Sequence, residues 1–97
     1  MNKDFFEILR KIHNNPIATQ RQIAKELNFS LGKINYCLQA LKKKGLIKIS
    51  NFNKSKNKIK YIYVLTPKGI TEKTNITLRF LKEKIKEYEE LKKEIGK

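Results

Sequence analysis

The chain has 97 residues, with 23 Lys or Arg against nine Asp or Glu, and its formal net charge at pH 7 is +14. This length allows one domain with a modest core, and the sequence contains neither a run of about 18 apolar residues nor the pattern of a signal peptide. A single cysteine and a single histidine form neither an internal disulfide nor a zinc site, so we expect a reduced, cytoplasmic chain without metal, cofactor or membrane span.

The first predicted helix covers residues 2–13, where apolar side chains recur at the spacing of one helical face. The Asn-Asn-Pro sequence at 14–16 ends this helix, because a residue before proline is pushed out of helical geometry. A second, shorter helix begins at a capping box, with Thr19 as N-cap and Gln22 reaching back. It ends at Asn28, a residue that tolerates left-handed geometry.

The third predicted helix is capped by Ser30, runs to about Lys44 and stops at Gly45. Its apolar stripe comprises Leu31, Ile34, Cys37, Leu38 and Leu41. Because Cys37 lies on this stripe, we expect a buried structural thiol, with a redox sensor as the alternative. The helix is therefore amphipathic and has a polar outer face.

After Gly45 the pattern changes from helical to extended. Residues 46–49 and 60–65 are rich in β-branched and aromatic side chains, which strands prefer, and a polar link from Ser50 to Lys58 joins them into a hairpin. Thr66-Pro67 then begins a last helix that runs to Glu94 or Ile95. We therefore predict a mainly α fold with a small β-hairpin, in which a winged helix-turn-helix is followed by a long C-terminal helix.

The positive charge is concentrated in one part of the chain. No acidic residue occurs between Glu26 and Glu72, whereas this interval contains ten lysines. A lysine-rich composition alone would raise the lysine count but does not explain the missing acids. The pattern favours a polyanionic partner.

The second and third helices have the spacing of a helix-turn-helix, whose second helix enters the major groove of DNA. Ser30 and the helix N-terminus offer donors to a phosphate. Helical geometry points these further residues outward, where they are candidates for contacts with bases or phosphates: Gly32, Lys33, Asn35, Tyr36, Gln39 and Lys43. The alternative is a polar surface without a binding role.

The hairpin link is the candidate wing, at residues 50–60. Lys54, Lys56 and Lys58 alternate with small polar residues there, which suits contacts with phosphates or the minor groove. An isolated loop of this kind is more often a solvated turn, but its position after the third helix favours DNA.

Several segments together resemble one family: residues 20–27, 30–38, 41–45, 57–69, 77–81 and 87–88. This family is the MarR-type winged-helix regulators, and the specific run Ser-Leu-Gly-Lys-x-Asn-Tyr-Cys-Leu at 30–38 resembles its exopolysaccharide (EPS)-associated branch. The resemblance implies a sequence-specific transcriptional regulator, with surface-polysaccharide genes as targets.

The chain departs from this family in two ways. Asn28 stands where the family pattern has a glycine four residues after the alanine found here as Ala24. The chain is also shorter than ordinary members, so we expect it to be without their extra terminal helices, and the resemblance gives only weak support for a small-ligand pocket.

The last predicted helix carries apolar residues at heptad spacing, at Leu78, Leu81, Ile85 and Tyr88. Lys92 occupies the next position of this seam and Ile95 the one after it. This short seam predicts a homodimer, which would match a palindromic operator. The alternative is that the same face packs on the first helix of its own chain. We expect residues 1–66 to form the DNA-binding part and residues 67–97 the dimerisation helix of one compact unit.

The sequence thus predicts a regulator of transcription, a repressor in preference to an activator, that binds double-stranded DNA. It contains no paired carboxylates, nucleophile motif or phosphate-binding loop, so we do not expect an enzyme. Two alternatives remain, an RNA- or ribosome-associated basic protein and a winged helix that binds an acidic protein partner. The Asn, Tyr and Gln side chains on the outer face of the third helix favour DNA over both.

Overall fold

A computed structural model of the chain describes the backbone of residues 2–55 and 58–96 and the side chains of residues 2–50 and 62–96. The elements are α1 (Lys3–Asn14), α2 (Gln20–Leu27), α3 (Leu31–Lys43), β1 (Ile47–Ser55), β2 (Lys58–Leu65) and α4 (Pro67–Gly96). Three helices, an antiparallel hairpin and a long last helix confirm the predicted winged-helix architecture.

Local capping determines where the first two helices begin and end. The amide of Phe5 donates to the Asn2 side chain, which caps α1. The predicted capping box of α2 is present in both directions, since Gln22 N donates to Thr19 Oγ1 at 3.1 Å and Thr19 N donates to Gln22 Oε1 at 2.7 Å. Asn28 ends α2 in the left-handed region, with φ of 59° and ψ of 41°, as predicted.

The ends of α3 also follow the prediction. Lys33 N donates to Ser30 Oγ at 3.1 Å, and Gly45 follows the helix with φ of +75°, a value that L side chains adopt at a cost. Leu31 departs from the expected stripe, because it is 43% exposed. It is the first residue of α3 and lies at the edge of the buried face of this helix.

The hairpin is longer than its sequence pattern predicts. Residues 47–55 pair with residues 58–65 in antiparallel register, from Ile47 opposite Leu65 to Ser55 opposite Lys58, with an irregularity between Asn53 and Ser55. The prediction of a link from Ser50 to Lys58 is therefore wrong for residues 50–55 and for Lys58, which are strand. Backbone pairing propagates from one rung to the next without requiring apolar side chains, so strand propensity underestimates its extent.

One hydrophobic core joins the three helices to the base of the hairpin. Its most completely buried side chains are Ile8, Leu9, Ile12, Ile23, Ile34, Leu38 and Leu41. Because each of α1, α2 and α3 contributes to this cluster, the orientation of α3 is set by packing on two neighbouring helices.

The long helix α4 packs on the core through its N-terminal half. Ile76 is buried, and Phe80 meets Phe6 of α1 edge to face at 5.0 Å between ring centroids. Beyond Phe80 every described residue of α4 is exposed, and the molecule is accordingly elongated, with extents of 66 × 26 × 21 Å.

Candidate nucleic-acid interface

Helix α3 presents a polar face to solvent. Ile34, Leu38 and Leu41 anchor its opposite face in the core. All the predicted contact residues of this element are exposed: Ser30, Gly32, Lys33, Asn35, Tyr36, Gln39 and Lys43. The structure thus brings these residues onto one accessible helix, and their role in binding stays a prediction.

Two residues of this face fit contact with an external molecule. The aromatic side chain of Tyr36 is 71% exposed. A Cβ placed on Gly32 would meet nothing within 4 Å, so packing within the protein does not require a glycine there. The absence of a side chain leaves the first turn of α3 open to close approach.

The first turn of α3 is braced by α2. The amide of Gln20 donates from its side chain to the Leu31 carbonyl at 3.5 Å, which links the N-termini of α2 and α3. The sequence pattern gives no sign of this contact, because Gln20 lies within the capping-box segment of α2, eleven positions from Leu31.

Lys33 is exposed but already engaged. Its Nζ lies 3.0 Å from Oδ2 of Asp4 and 4.0 Å from the centroid of the Phe29 ring. Asp4 comes from the first turn of α1, so folding brings a carboxylate to the edge of the segment that lacks acids in sequence. Among the described side chains between Glu26 and Glu72, Lys33 is the only lysine with a carboxylate within 4 Å.

The C-terminal end of α3 is joined to the start of α4. Thr66 Oγ1 donates to the Gly45 carbonyl at 2.6 Å and accepts from Gly69 N at 3.0 Å. Lys68 Nζ donates to the Lys44 carbonyl at 3.1 Å. These contacts make Thr66 the N-cap of α4 and hold α3 and α4 in a defined relation.

The wing is only partly described. Lys54 and Lys58 lie in β1 and β2 near the end of the hairpin, at a position that follows α3 in the chain. Lys56 and the side chains of Lys54 and Lys58 lie outside the described residues. Their contact with phosphates therefore stays a prediction.

The predicted seam of α4 is exposed. Leu78, Leu81, Ile85, Tyr88 and Ile95 are each more than half accessible to solvent. At 100° per residue this row lies roughly 130° around the helix from the positions that pack on the domain, Gly69, Ile76 and Phe80. Leu81 lines a groove with Phe6 and Arg10 of α1, but more than half of each side chain in the row is exposed, which leaves most of the row available to another chain.

Cys37 is buried in the core, and burial raises the pKa of its thiol, an effect to which Asp4 adds and which Lys33 opposes. Within the described ranges, no cluster of three or more His, Cys, Asp or Glu side chains is placed to hold a metal ion. Nor is any described helix both long and apolar enough to cross a membrane.

Comparison with known proteins agrees with this geometry. Residues 6–48 match a family described as winged helix-turn-helix DNA-binding, a range that includes α2, α3 and the start of β1. No curated protein matches the chain in sequence.

Solved structures share the fold at low sequence identity. Streptococcus pneumoniae FabT in complex with DNA is 23% identical with a TM-score of 0.72, over 93% of this chain and 61% of that one. S. aureus MepR, also bound to DNA, is 21% identical with a TM-score of 0.76, over 93% and 65%. Lactococcus lactis ZitR, a zinc-responsive MarR family member, is 22% identical with a TM-score of 0.73, over 99% and 64%.

The chain spans less than two thirds of the length of each of these three proteins. The similarity confirms the MarR-type resemblance at the level of the fold, whereas the exopolysaccharide-associated branch stays a prediction. Residues 6–48 are thus similar to the winged helix-turn-helix DNA-binding family, and the chain shares its fold with MarR-family regulators.

Proposed function

We propose that the chain is a sequence-specific regulator of transcription that binds double-stranded DNA. The observation that carries this proposal is the exposed face of α3, a helix with no acidic residue of its own. Buried Ile34, Leu38 and Leu41 fix the opposite face of α3 in the core of the helix-turn-helix. A rigid helix of this kind fits the width of the major groove. The DNA complexes of FabT and MepR, which share the fold, support the same partner.

In this proposal α3 lies in the major groove and reads base edges. Asn35 and Gln39 are one turn apart, and both amides can make paired hydrogen bonds to adenine. Lys43 and Tyr36 flank them, and Ser30 with the first amides of α3 approaches a phosphate. Gly32 allows the backbone to come close to the DNA.

The wing supplies contacts that do not depend on sequence. Replacing Lys54, Lys56 and Lys58 by alanine should weaken binding to every duplex by a similar factor. Each lost phosphate contact should also reduce the slope of log K against log salt by about one unit. An unchanged slope in the triple variant would remove the wing from the interface.

We further propose that the protein acts as a homodimer through the exposed row on α4, with residues 1–66 as the DNA-binding part. A twofold axis would place two copies of α3 about one helical turn apart on a palindromic operator. Leu78, Leu81, Ile85 and Tyr88 form an uninterrupted exposed apolar row before Lys92, and contiguous exposed apolar surface often marks a protein contact.

Analytical ultracentrifugation tests the dimer. The wild type should sediment as a dimer at micromolar concentration and Ile85→Glu as a monomer. Lys86→Glu introduces the same residue at the next position, outside the row, and should remain dimeric. A wild type that is monomeric both with and without operator DNA would refute the dimer.

Selection from random duplexes, followed by sequencing, tests the function itself. We expect an enriched palindromic motif that competes better than random DNA or structured RNA. Failure to enrich any motif, together with equal or tighter binding to RNA, would favour an RNA-associated protein. Tight binding to an acidic protein alone would favour an interaction module.

A transcription assay on a promoter that contains the selected site tests the direction of regulation. We propose repression in the cytoplasm, because a dimer bound over a promoter excludes polymerase. Surface-polysaccharide genes are the targets implied by the resemblance at residues 30–38. An increase in transcript with added protein would establish activation instead.

A further inference from the structure

An ion pair joins the first turn of α1 to the first turn of the proposed recognition helix. Asp4 Oδ2 and Lys33 Nζ are 3.0 Å apart, and the two side chains are 44% and 45% exposed. The same ammonium lies 4.0 Å from the centre of the Phe29 ring, within the range of a cation–π interaction. Two groups from outside α3 therefore hold a side chain that faces the binding surface.

The fold does not depend on this ion pair. Helices α1 and α3 both contribute fully buried side chains, such as Ile8 and Ile34, to the one hydrophobic core. Exposed ion pairs contribute little to stability, because solvent screens them and two long side chains lose freedom. The position of Asp4 matters more for the charge of the surface, since its carboxylate neutralises Lys33, and no other described lysine between Glu26 and Glu72 has a carboxylate within 4 Å.

We propose that Asp4 lowers and tunes DNA affinity by competing with DNA for Lys33. In the free protein the carboxylate holds the ammonium, and in the complex a phosphate or a base acceptor displaces it. The flexible four-carbon stem of lysine allows this exchange without movement of either helix. The inference rests on the proposed DNA-binding function and adds to it a residue of α1 outside the helix-turn-helix.

The exchange has a measurable consequence. Wild-type protein must break the ion pair before Lys33 can bind DNA, whereas Asp4→Asn has no pair to break. The variant should therefore bind about 1.5- to 5-fold more tightly, the range expected for an exposed ion pair. Because salt weakens the pair itself, this advantage should be largest at low ionic strength and decline towards none as salt rises.

Glu26→Gln is the matched control. Glu26 pairs with Lys11 at 3.3 Å, at similar exposure, and neither residue belongs to α3. Both substitutions change the net charge by one unit, so a general gain in attraction to DNA appears equally in both. Only the difference between them reports the release of Lys33.

A double-mutant cycle separates pairing from repulsion. Titration of the duplex enriched by wild-type selection, at 50 and 200 mM salt, should be done on the wild type, Asp4→Asn, Lys33→Ala and the double variant. Circular dichroism should first establish that all four are folded, which we expect because both side chains are exposed. The Asp4→Asn gain should disappear in the Lys33→Ala background, since no lysine is left to release.

The outcomes are distinct. If the gain in DNA affinity persists without Lys33, or equals the gain of Glu26→Gln, Asp4 merely repels DNA. If Asp4→Asn instead loses affinity, the ion pair positions Lys33 for binding. Either result overturns the competition. Failure of the wild type to bind any duplex would instead refute the proposed function.

Discussion

The junction between α3 and α4 leads to a sharp prediction about Gly69. This residue is buried in the first turn of α4, and a Cβ added there would collide with the carbonyl oxygen of Leu46 and lie 3.0 Å from its carbonyl carbon. The obstacle is backbone, so no side-chain rotation relieves it. The same Leu46 oxygen accepts a hydrogen bond from Thr66 N at 3.0 Å, so a shift that makes room for the methyl group also disturbs this bond.

The size of the effect follows from these contacts. Overpacking costs about 1 to 3 kcal/mol, and a weakened hydrogen bond adds about 1 kcal/mol. The higher helix propensity of alanine returns at most about 1 kcal/mol. Gly69→Ala should therefore lower the free energy of unfolding by about 1 to 3 kcal/mol and Tm by roughly 5 to 20 °C.

Gly32→Ala is the control, because it makes the same chemical change in a helix where the added Cβ meets nothing within 4 Å. It should leave Tm unchanged or raise it, since only the propensity gain remains. Thermal unfolding followed by circular dichroism, at one protein concentration because a dimer makes Tm concentration-dependent, measures both. A Gly69→Ala protein as stable as Gly32→Ala would refute the reasoning about the junction.

Three further predictions concern Thr66, Asn35 and Cys37. Thr66→Val should lower the free energy of unfolding by about 1 to 2 kcal/mol in chemical denaturation, because it removes an N-cap and the bond to Gly45, and a cost near zero would contradict that role. Asn35→Ala should weaken binding to the selected operator by about 1 to 3 kcal/mol but leave binding to random duplex nearly unchanged; equal losses on both in a gel-shift titration would exclude base reading. The Cys37 thiol should react slowly with a disulfide reagent near pH 8, because its raised pKa reduces the thiolate fraction and burial blocks access, and a rate equal to that of the denatured chain would show that the thiol is accessible.

Much of the local structure could be predicted from the sequence because its causes are local. The hydrogen bonds of the Thr19–Gln22 capping box and of the Ser30 cap join groups three residues apart. A positive φ at Gly45 and Asn28 follows from what each residue tolerates. Helical periodicity likewise placed the core face of α3 correctly, apart from Leu31 at its first turn.

The predictions were weaker wherever the outcome depends on an element distant in sequence. The hairpin extends through polar residues because its two strands support each other, which propensity at single positions does not register. Gln20 acquires a second role only because α2 and α3 meet at their N-termini.

The amino-acid sequence by itself determined the order of the elements, the caps of α2 and α3, the lysine-rich segment without acids and the row of apolar residues on the last helix. These properties follow from the types of residue and from their spacing within a few positions of the sequence. Only the tertiary structure decided that Asp4 reaches Lys33, that Gly69 lies against the backbone of Leu46, and that the α4 row stays more than half exposed beside its own domain. Each of these depends on how the helices pack around one core, because packing brings together groups that no local pattern relates.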